Sequence, residues 1–212
     1  MKTAIGLFGI HYLYELNHWM DWKNCVDYRE TFDNNQTHIW NGMDTTFYSS
    51  TYYSEILPQL ISDFGFKSLQ LAKVDNTKET DAGLNWAKRN RRFKETIKLI
   101  LEDGIEYDRV ILMRYDLLFK QNPFELNYKS DSINLICKAK LGDDDSVCDD
   151  NFYIIPYSEL VGFYDKVCKI DEKIMAHYYN HYINDFNYLI EGAYYSHELP
   201  VYTINRISLR KC

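Results

Sequence analysis

The sequence predicts an α/β domain whose central sheet is mixed, mostly parallel and flanked by helices. Short apolar runs of strand character alternate with segments of helical periodicity over the first 120 residues, which is typical of a helix-covered parallel sheet. The chain has 212 residues, the size of one domain, and no linker, repeat or low-complexity segment divides it. We therefore expect residues 1–212 to form one domain, which is also compatible with one module of a longer polypeptide.

Hydrophobic periodicity and turn residues assign the individual elements. The predicted strands are residues 4–10, 37–40, 67–74, 110–113, 133–137, 152–155 and 201–204, and the apolar run that follows the fourth of them resumes at residues 117–119. The predicted helices are residues 52–63, 82–103, 158–167 and 171–193. Pro58 is expected to break or bend the first helix, and Gly104 to end the second. Residues 140–150 are polar and acidic, and they predict a loop.

Composition and charge exclude several classes of protein. The net charge is −7, and the longest basic run, residues 88–92, is short, so a nucleic-acid-binding domain is not expected. Five cysteines without C-x-x-C spacing indicate reduced thiols in a cytoplasmic protein. No stretch approaches 18 apolar residues, so no membrane span is expected. The 19 tyrosines suit a cleft for planar or polyhydroxylated ligands, although compositional bias explains them equally well.

Charged residues interrupt one apolar strand abruptly. Residues 110–113 are followed by Arg114, Tyr115 and Asp116, and the apolar run then resumes. In open α/β sheets, ligands bind beyond the carboxyl ends of the strands. A carboxylate held there is costly to bury unless it is paired or binds a cation. Two interpretations remain open: a divalent ion that bridges Asp116 to substrate phosphates, or an internal salt bridge between Arg114 and Asp116.

Residues 90–119 resemble the core of a group of GT-A-fold glycosyltransferases. In that group a basic helix precedes a strand that ends in R-x-D-l-x-F, and its Asp stands at the metal-binding position of the D-x-D motif. This sequence has Arg114 where the first Asp of that motif would stand. Residues 37–41 and 149–156 resemble two further strands of the group. Among its members, the chain most resembles the glycosyltransferase domain that chlorella viruses encode for capsid glycans, which would place it in the cytoplasm of a host cell.

The resemblance implies a UDP-sugar donor and Mn²⁺ (or Mg²⁺). Residues assigned to the nucleotide are those at the end of the first strand, which would line a uridine pocket, those near the start of the basic helix and those of the Arg-Tyr-Asp segment: Phe8, Gly9, Ile10, His11, Arg89, Arg92, Arg114, Tyr115 and Asp116. Asp116 is assigned to the metal, and His197 is a second candidate ligand that also fits a plain turn. An alternative for Arg89 and Arg92 is that they are ordinary solvated residues near the start of a helix.

Acidic residues later in the chain are candidates for the chemical step. Asp149 and Asp150 lead directly into the apolar strand at residues 152–155. A carboxylate near the anomeric carbon can act as a base toward an acceptor hydroxyl or stabilise an oxocarbenium-like centre. Their alternative role is to cap a turn. Asp185 matches a late acidic position of related transferases, whereas the Asp run at residues 143–145 follows no strand and is expected to be solvated.

The predicted function is transfer of a hexose, glucose-like or rhamnose-like, from a UDP-sugar to a glycan or glycoprotein hydroxyl, with Mn²⁺ and with retention of configuration. One alternative is a sugar-phosphate nucleotidyltransferase, whose Gly-rich loop with Arg and Lys is missing after the first strand. Another alternative is a non-catalytic carbohydrate-binding domain, which the basic helix and the Arg-Tyr-Asp strand disfavour.

Overall fold

The computed structural model describes residues 1–13, 26–73, 82–141, 144–172, 176–183, 185–195 and 199–204. The strands are β1 (Lys2–Phe8), β2 (Tyr12–Leu13), β3 (Val26–Asp27), β4 (Asp44–Tyr52), β5 (Ser68–Ala72), β6 (Arg109–Arg114), β7 (Leu117–Phe119), β8 (Ile133–Leu135), β9 (Lys138–Leu141), β10 (Asp144–Cys148), β11 (Phe152–Pro156), β12 (Phe186–Tyr188), β13 (Ala193–Tyr194) and β14 (Tyr202–Ile204). The α-helices are α1 (Arg29–Asn35), α2 (Leu57–Phe64), α3 (Ala82–Glu102) and α4 (Tyr157–Cys168). Shorter helical turns are a π-helical turn at Gln36–Trp40 and 3₁₀ turns at Pro123–Glu125 and Ala176–His181.

Seven strands form the central sheet in the order β12-β8-β11-β6-β1-β4-β5. All of its neighbouring pairs are parallel except the two that β11 makes, with β6 and with β8. Smaller sheets join β10, β9 and β13, β14 and β7, and β2 and β3. The predicted fold class, a mostly parallel mixed sheet flanked by helices, is confirmed.

Two apolar cores cover the two faces of this sheet. Along β1, Ala4 and Phe8 belong to the core beneath α3 and α4, whereas Ile5 and Leu7 belong to the core beneath α2. This alternation follows from the two-residue period of a strand. Gly6 faces α3, and a Cβ atom there would lie 2.7 Å from the side chains of both Leu112 and Thr96. The glycine therefore serves the close approach of α3 to the sheet.

The second strand of the sheet is not where the sequence predicts it. Residues 37–40 form a π-helical turn that continues α1, so the strand prediction is wrong there. Ile39 and Trp40 bury their side chains from this turn into the core that also holds Phe64. The strand beside β1 is β4 instead, whose Thr and Ser residues lack the apolar run that signals a buried strand.

Two more predictions in the second half are wrong. Residues 171–193 are not a long helix, because β12 pairs in parallel with β8 and extends the sheet. Residues 140–150 are not simply a loop, because β9 and β10 form an antiparallel pair with an irregular register. In the first case pairing with a distant strand outweighs the local pattern, and in the second case pairing between two consecutive strands does so.

Two residues mark the ends of α2 as the local rules for helix ends lead one to expect. Pro58 stands in the first turn of α2, where its missing N–H costs no hydrogen bond, so it does not break or bend the helix. Gly65 ends the helix in the left-handed conformation at φ 56°.

Among the helices described, none combines the length and apolar character that crossing a membrane requires.

Candidate functional site

The strand order reverses direction between β1 and β6. From β1 the chain moves to β4 and β5 on one side, and it then returns to place β6 on the other side. The crevice beyond the carboxyl ends of two such strands is the usual ligand site of open α/β sheets. Because β11 runs antiparallel and Phe152 pairs with Met113, the start of β11 lies at this same edge. Segments 9–11, 114–116 and 149–151 therefore meet there.

Arg114 and Asp116 form a two-point ion pair at the end of β6. Arg114 Nε donates to Asp116 Oδ1 over 2.8 Å, and Arg114 Nη2 donates to Asp116 Oδ2. The side chain of Asp116 is 2% exposed, and that of Arg114 is 20% exposed. The internal salt bridge that the sequence left open as one alternative is thus present.

Arg89 reaches the same place from α3. Its Nη1 pairs with Asp150 Oδ2, and its Nη2 donates to the Asp150 carbonyl oxygen over 2.6 Å. The guanidinium carbon also lies 6.0 Å from the centre of the Phe8 ring. Arg89 stands about two turns inside α3, so it is not a solvated helix-start residue. Its side chain is 22% exposed, so part of its guanidinium or stem still reaches solvent.

Asn151 joins the two arginines, and the sequence analysis missed it. Its Oδ1 accepts hydrogen bonds from Arg89 Nη2 over 3.2 Å and from Arg114 Nη1 over 3.0 Å. The residue is 2% exposed. The available signal was its position: a third polar residue directly before a fully buried strand at the ligand edge of the sheet.

Asp149 lies behind Asn151 and faces the interior. It is 1% exposed and accepts from Asn151 Nδ2 over 2.8 Å, from the Asn151 backbone N–H over 3.2 Å and from the hydroxyl of Tyr202. Burial, together with the carboxylate of Asp149, raises the pKa of Tyr202 well above its ordinary value, so the hydroxyl stays protonated. Asp149 and Asp150 are thus both engaged within the protein.

Arg92 belongs to a separate group over the end of β4. It pairs with Glu95, one helical turn further along α3, over 2.7 Å. Glu95 in turn accepts from the hydroxyl of Ser50 over 2.7 Å, and the Arg92 guanidinium lies 5.7 Å from the centre of the Tyr52 ring. The structure therefore brings Arg89, but not Arg92, to Arg114.

Of the four residues predicted to line a uridine pocket, two lie inside the protein. Phe8 and His11 are each 1% exposed, whereas Gly9 is partly exposed and Ile10 is 42% exposed. Gly9 has φ 93°, a left-handed conformation that favours glycine. Only Gly9 and Ile10 therefore offer surface to a ligand. Tyr115 is also buried, and its hydroxyl is hydrogen bonded to that of Ser49.

His11 holds two loops together. Thr51 Oγ1 donates to the Gly9 carbonyl oxygen over 2.7 Å, so it accepts from His11 Nδ1 over the same distance. The other ring nitrogen, Nε2, then carries no hydrogen and accepts a hydrogen bond from the Ser54 hydroxyl over 2.6 Å. Burial lowers the pKa of His11 from 6.5 to about 4, against a smaller opposing effect of Asp27, so the ring stays neutral at pH 7.

This burial predicts a loss of stability in mild acid. The folded pKa lies below the unfolded one, so the stabilisation from neutral His11 is fully present above pH 6.5 and is lost as the pH falls toward 4. Between pH 7 and pH 5 we expect the free energy of unfolding to fall by about 2 kcal/mol from this residue. Urea unfolding of the wild type and of His11→Gln at both pH values measures it. An equal pH-dependent loss in the variant would remove His11 as the cause.

One predicted site residue, Asp185, is not brought to this edge. Asp185 directly precedes β12, and the register from β12 through β8 and β11 aligns that end with Arg109, at the amino end of β6. It therefore lies at the opposite edge of the sheet, with φ 57°. His197 lies outside the described residues. Their proposed roles stay predictions from the resemblance.

The described carboxylates do not fit a divalent ion as they stand. Both oxygens of Asp116 accept from Arg114, and Asp150 pairs with Arg89. Across the described part of the chain, no three His, Cys, Asp or Glu side chains gather as a metal site would require. Mn²⁺ therefore stays a prediction from the resemblance, and the described groups at this edge that suit a diphosphate are the guanidinium groups of Arg89 and Arg114.

Comparisons with known proteins give a distant likeness of structure. No family model matches the sequence, and no curated protein matches it either. A crystal structure of a nucleoside-diphosphate-sugar pyrophosphorylase from Vibrio cholerae RC9 superposes with a TM-score of 0.42 and 7% sequence identity. The match covers 88% of this chain and 84% of that one. A likeness this small carries no argument about activity, which has to come from the site itself.

Proposed function

We propose that this chain is a transferase that binds a nucleoside-diphosphate sugar, with Arg89 and Arg114 contacting the diphosphate. The observation that carries the proposal is the meeting of two guanidinium groups, from α3 and from the end of β6, on Asn151 Oδ1 at the ligand edge of the sheet. Guanidinium forks match the oxygens of phosphate groups better than an ammonium does.

Arg89 and Arg114 are suited to bind an anion because hydrogen bonds fix their positions while part of each side chain stays exposed to solvent. Arg114 uses one N–H of each of its three nitrogens in the bonds to Asp116 and Asn151, which leaves two of its five N–H groups for a ligand. About a fifth of the surface of each side chain remains exposed. Holding the donors in advance reduces the reorganisation needed when charge develops on a leaving group.

The neighbouring surface suits the nucleoside part of such a ligand. Ile10, two residues after β1, and Tyr53, directly after β4, are 42% and 56% exposed. Large apolar side chains at the ligand edge offer a planar base a surface to stack on. This arrangement supports a donor whose base lies toward β4 and whose diphosphate lies toward β6.

The main interpretation is glycosyl transfer from a UDP-sugar to a hydroxyl of an oligosaccharide or glycoprotein. The bond between the anomeric carbon and the diphosphate oxygen breaks, and UDP leaves with the electron pair. The acceptor oxygen bonds to that carbon and passes its proton to an oxygen of the departing diphosphate. Arg89 and Arg114 stabilise the negative charge that develops on the departing diphosphate. The predicted hexose and the retention of configuration rest on the resemblance alone.

A second interpretation, nucleotidyl transfer, is favoured by the state of the acidic residues. Asp149 accepts from Asn151 and Tyr202, and Asp150 pairs with Arg89, so neither is poised as a base for an acceptor hydroxyl. A sugar 1-phosphate that attacks the α-phosphate of a nucleoside triphosphate is already an anion and needs no base. Pyrophosphate then leaves, and the same arginines stabilise its charge. The missing Gly-rich loop after β1 counts against this interpretation.

Calorimetric titration of UDP, GDP and CMP, with Mn²⁺ and with EDTA, is the first test. We expect UDP to bind most tightly, because the resemblance predicts a uridine donor. Incubation with UDP-glucose or UDP-rhamnose then releases UDP if the protein transfers a sugar. Incubation with UTP and glucose 1-phosphate releases pyrophosphate if it transfers a nucleotide. The proposal fails if no nucleotide binds under either metal condition.

A further inference from the structure

We infer that Asn151 is a positioning residue for Arg89 and Arg114, and that the C-terminal segment sets its orientation through Tyr202 and Asp149. The inference rests on the proposed function for its meaning in catalysis. Its structural part concerns a relay of hydrogen bonds that runs from a strand at the back of the site to the two guanidinium groups.

The first step of the relay is the orientation of the Asn151 amide. Its Nδ2 donates to Asp149 Oδ1 over 2.8 Å, which leaves Oδ1 for the two arginines. The opposite orientation would turn N–H groups toward two cations and an oxygen toward a carboxylate, so every contact would become repulsive. A single amide orientation is therefore strongly favoured.

The second step is the anchoring of Asp149. Its Oδ2 accepts from the Asn151 backbone N–H over 3.2 Å and from the Tyr202 hydroxyl. Its own backbone N–H donates to the Cys137 carbonyl oxygen over 3.0 Å. With 1% of its surface exposed, the carboxylate depends on these donors in place of water.

The third step places Tyr202. It lies in β14, which pairs with β7, the strand that starts directly after Asp116. The Lys120 backbone N–H donates to the Val201 carbonyl oxygen over 2.8 Å, and the Tyr202 ring packs against Phe119 at 5.4 Å between centres. A segment 50 residues beyond Asn151 is thus fixed beside the site and completes the relay.

The relay matters because two positively charged guanidinium groups donate to the same atom, Asn151 Oδ1. Asp150 and Asp116 each pair with one of these guanidinium groups, but neither carboxylate contacts both. A shared acceptor between the two groups fixes how they lie relative to each other. Asn151 Oδ1 is such an acceptor, so it keeps both forks directed at one place where a diphosphate can bind. Without it, each arginine keeps its own ion pair but the two lose their common direction, so we expect them to bind a diphosphate less well.

The test compares Asn151→Ala and Tyr202→Phe with Tyr48→Phe as the matched control. Tyr48 is also a buried tyrosine whose hydroxyl donates to a carboxylate, that of Asp103, but it takes no part in the relay. We expect the affinity for UDP to fall about tenfold or more in Asn151→Ala and about threefold to tenfold in Tyr202→Phe. The affinity for uridine, which lacks phosphates, should stay unchanged, a split that simple loss of stability would not produce. Tyr48→Phe should bind both ligands as the wild type does.

A second measurement needs no ligand. Hydrogen exchange of the Asn151 side-chain amide, whose Nδ2 donates to Asp149, is followed by NMR at temperatures well below unfolding. It is expected to speed up several-fold in Tyr202→Phe and to stay unchanged in Tyr48→Phe. Unchanged exchange in both variants would overturn the relay, whether or not nucleotides bind. Binding of UDP by the wild type with undiminished affinity in Asn151→Ala would overturn the positioning role alone. Failure of the wild type to bind any nucleotide would reject the proposed function and leave the relay to be judged by exchange.

Discussion

Replacing Arg114 with lysine is expected to weaken UDP binding by about tenfold to a hundredfold. Lysine keeps the positive charge but has no planar fork, so it cannot contact both oxygens of Asp116 and Asn151 Oδ1 at once. Hydrogen bonds to charged groups contribute about 1.5–3 kcal/mol each, which sets the size of the effect. Calorimetric titration of UDP into wild type and variant measures it.

Arg91→Lys is the matched control for this substitution. Arg91 lies on α3 close in sequence to Arg89, but its side chain is 59% exposed and pairs with Glu172 away from the site. We expect its affinity for UDP to equal that of the wild type. Equal binding by Arg114→Lys would remove the guanidinium geometry from the proposal. A melting temperature for each variant separates loss of binding from loss of fold.

Replacing Asp116 with asparagine is expected to have opposite effects with and without metal. The cluster of Arg89, Arg114, Asp116, Asp149 and Asp150 holds three carboxylates and two guanidinium groups, so a diphosphate entering it needs more positive charge. Bound Mn²⁺, as the resemblance predicts, would supply that charge. Both oxygens of Asp116 accept from Arg114, so Asp116 can bind such an ion only by releasing that guanidinium. If it does so, Asp116→Asn abolishes the gain in UDP affinity from Mn²⁺, because an amide is a weaker ligand for a hard cation than a carboxylate.

In EDTA the same substitution is expected to strengthen UDP binding several-fold, because it removes a negative charge beside Arg114. Titrations of both proteins with Mn²⁺ and with EDTA give the four affinities needed. A gain from Mn²⁺ that persists in the variant would exclude Asp116 as its ligand. Weaker binding in EDTA would instead show that Arg114 needs the carboxylate to hold its orientation.

Much of the fold follows from local patterns. The period of residues 82–103 and the apolar core of residues 110–113 identify α3 and β6 because each pattern reflects burial on one face or on both. Local sequence patterns do not identify β4 and β12. Their residues are polar or mixed, and they become strands because β1 and β8 offer backbone groups to pair with.

In the candidate site too, sequence patterns identify some residues but not the residues that these contact. That Arg114 and Asp116 lie at the carboxyl end of a strand is evident from the abrupt end of an apolar run, and the start of β11 marks Asp149 and Asp150 similarly. Their partners are not evident. Asn151 is hydrogen bonded to Arg89 and Arg114, which lie 62 and 37 residues away in the sequence. Tyr202 is hydrogen bonded to Asp149, which lies 53 residues away.

The sequence by itself determined the α/β class, the helix that carries Arg89 and the charged strand end at Arg114, because each depends on contacts between near neighbours in the chain. Only the tertiary structure decided that Arg114 pairs with Asp116, that Arg92 and His11 serve other contacts, and that Asp185 lies at the far edge. The physical reason is that a buried charge takes the nearest partner in space, and strand order and direction set which residues are near.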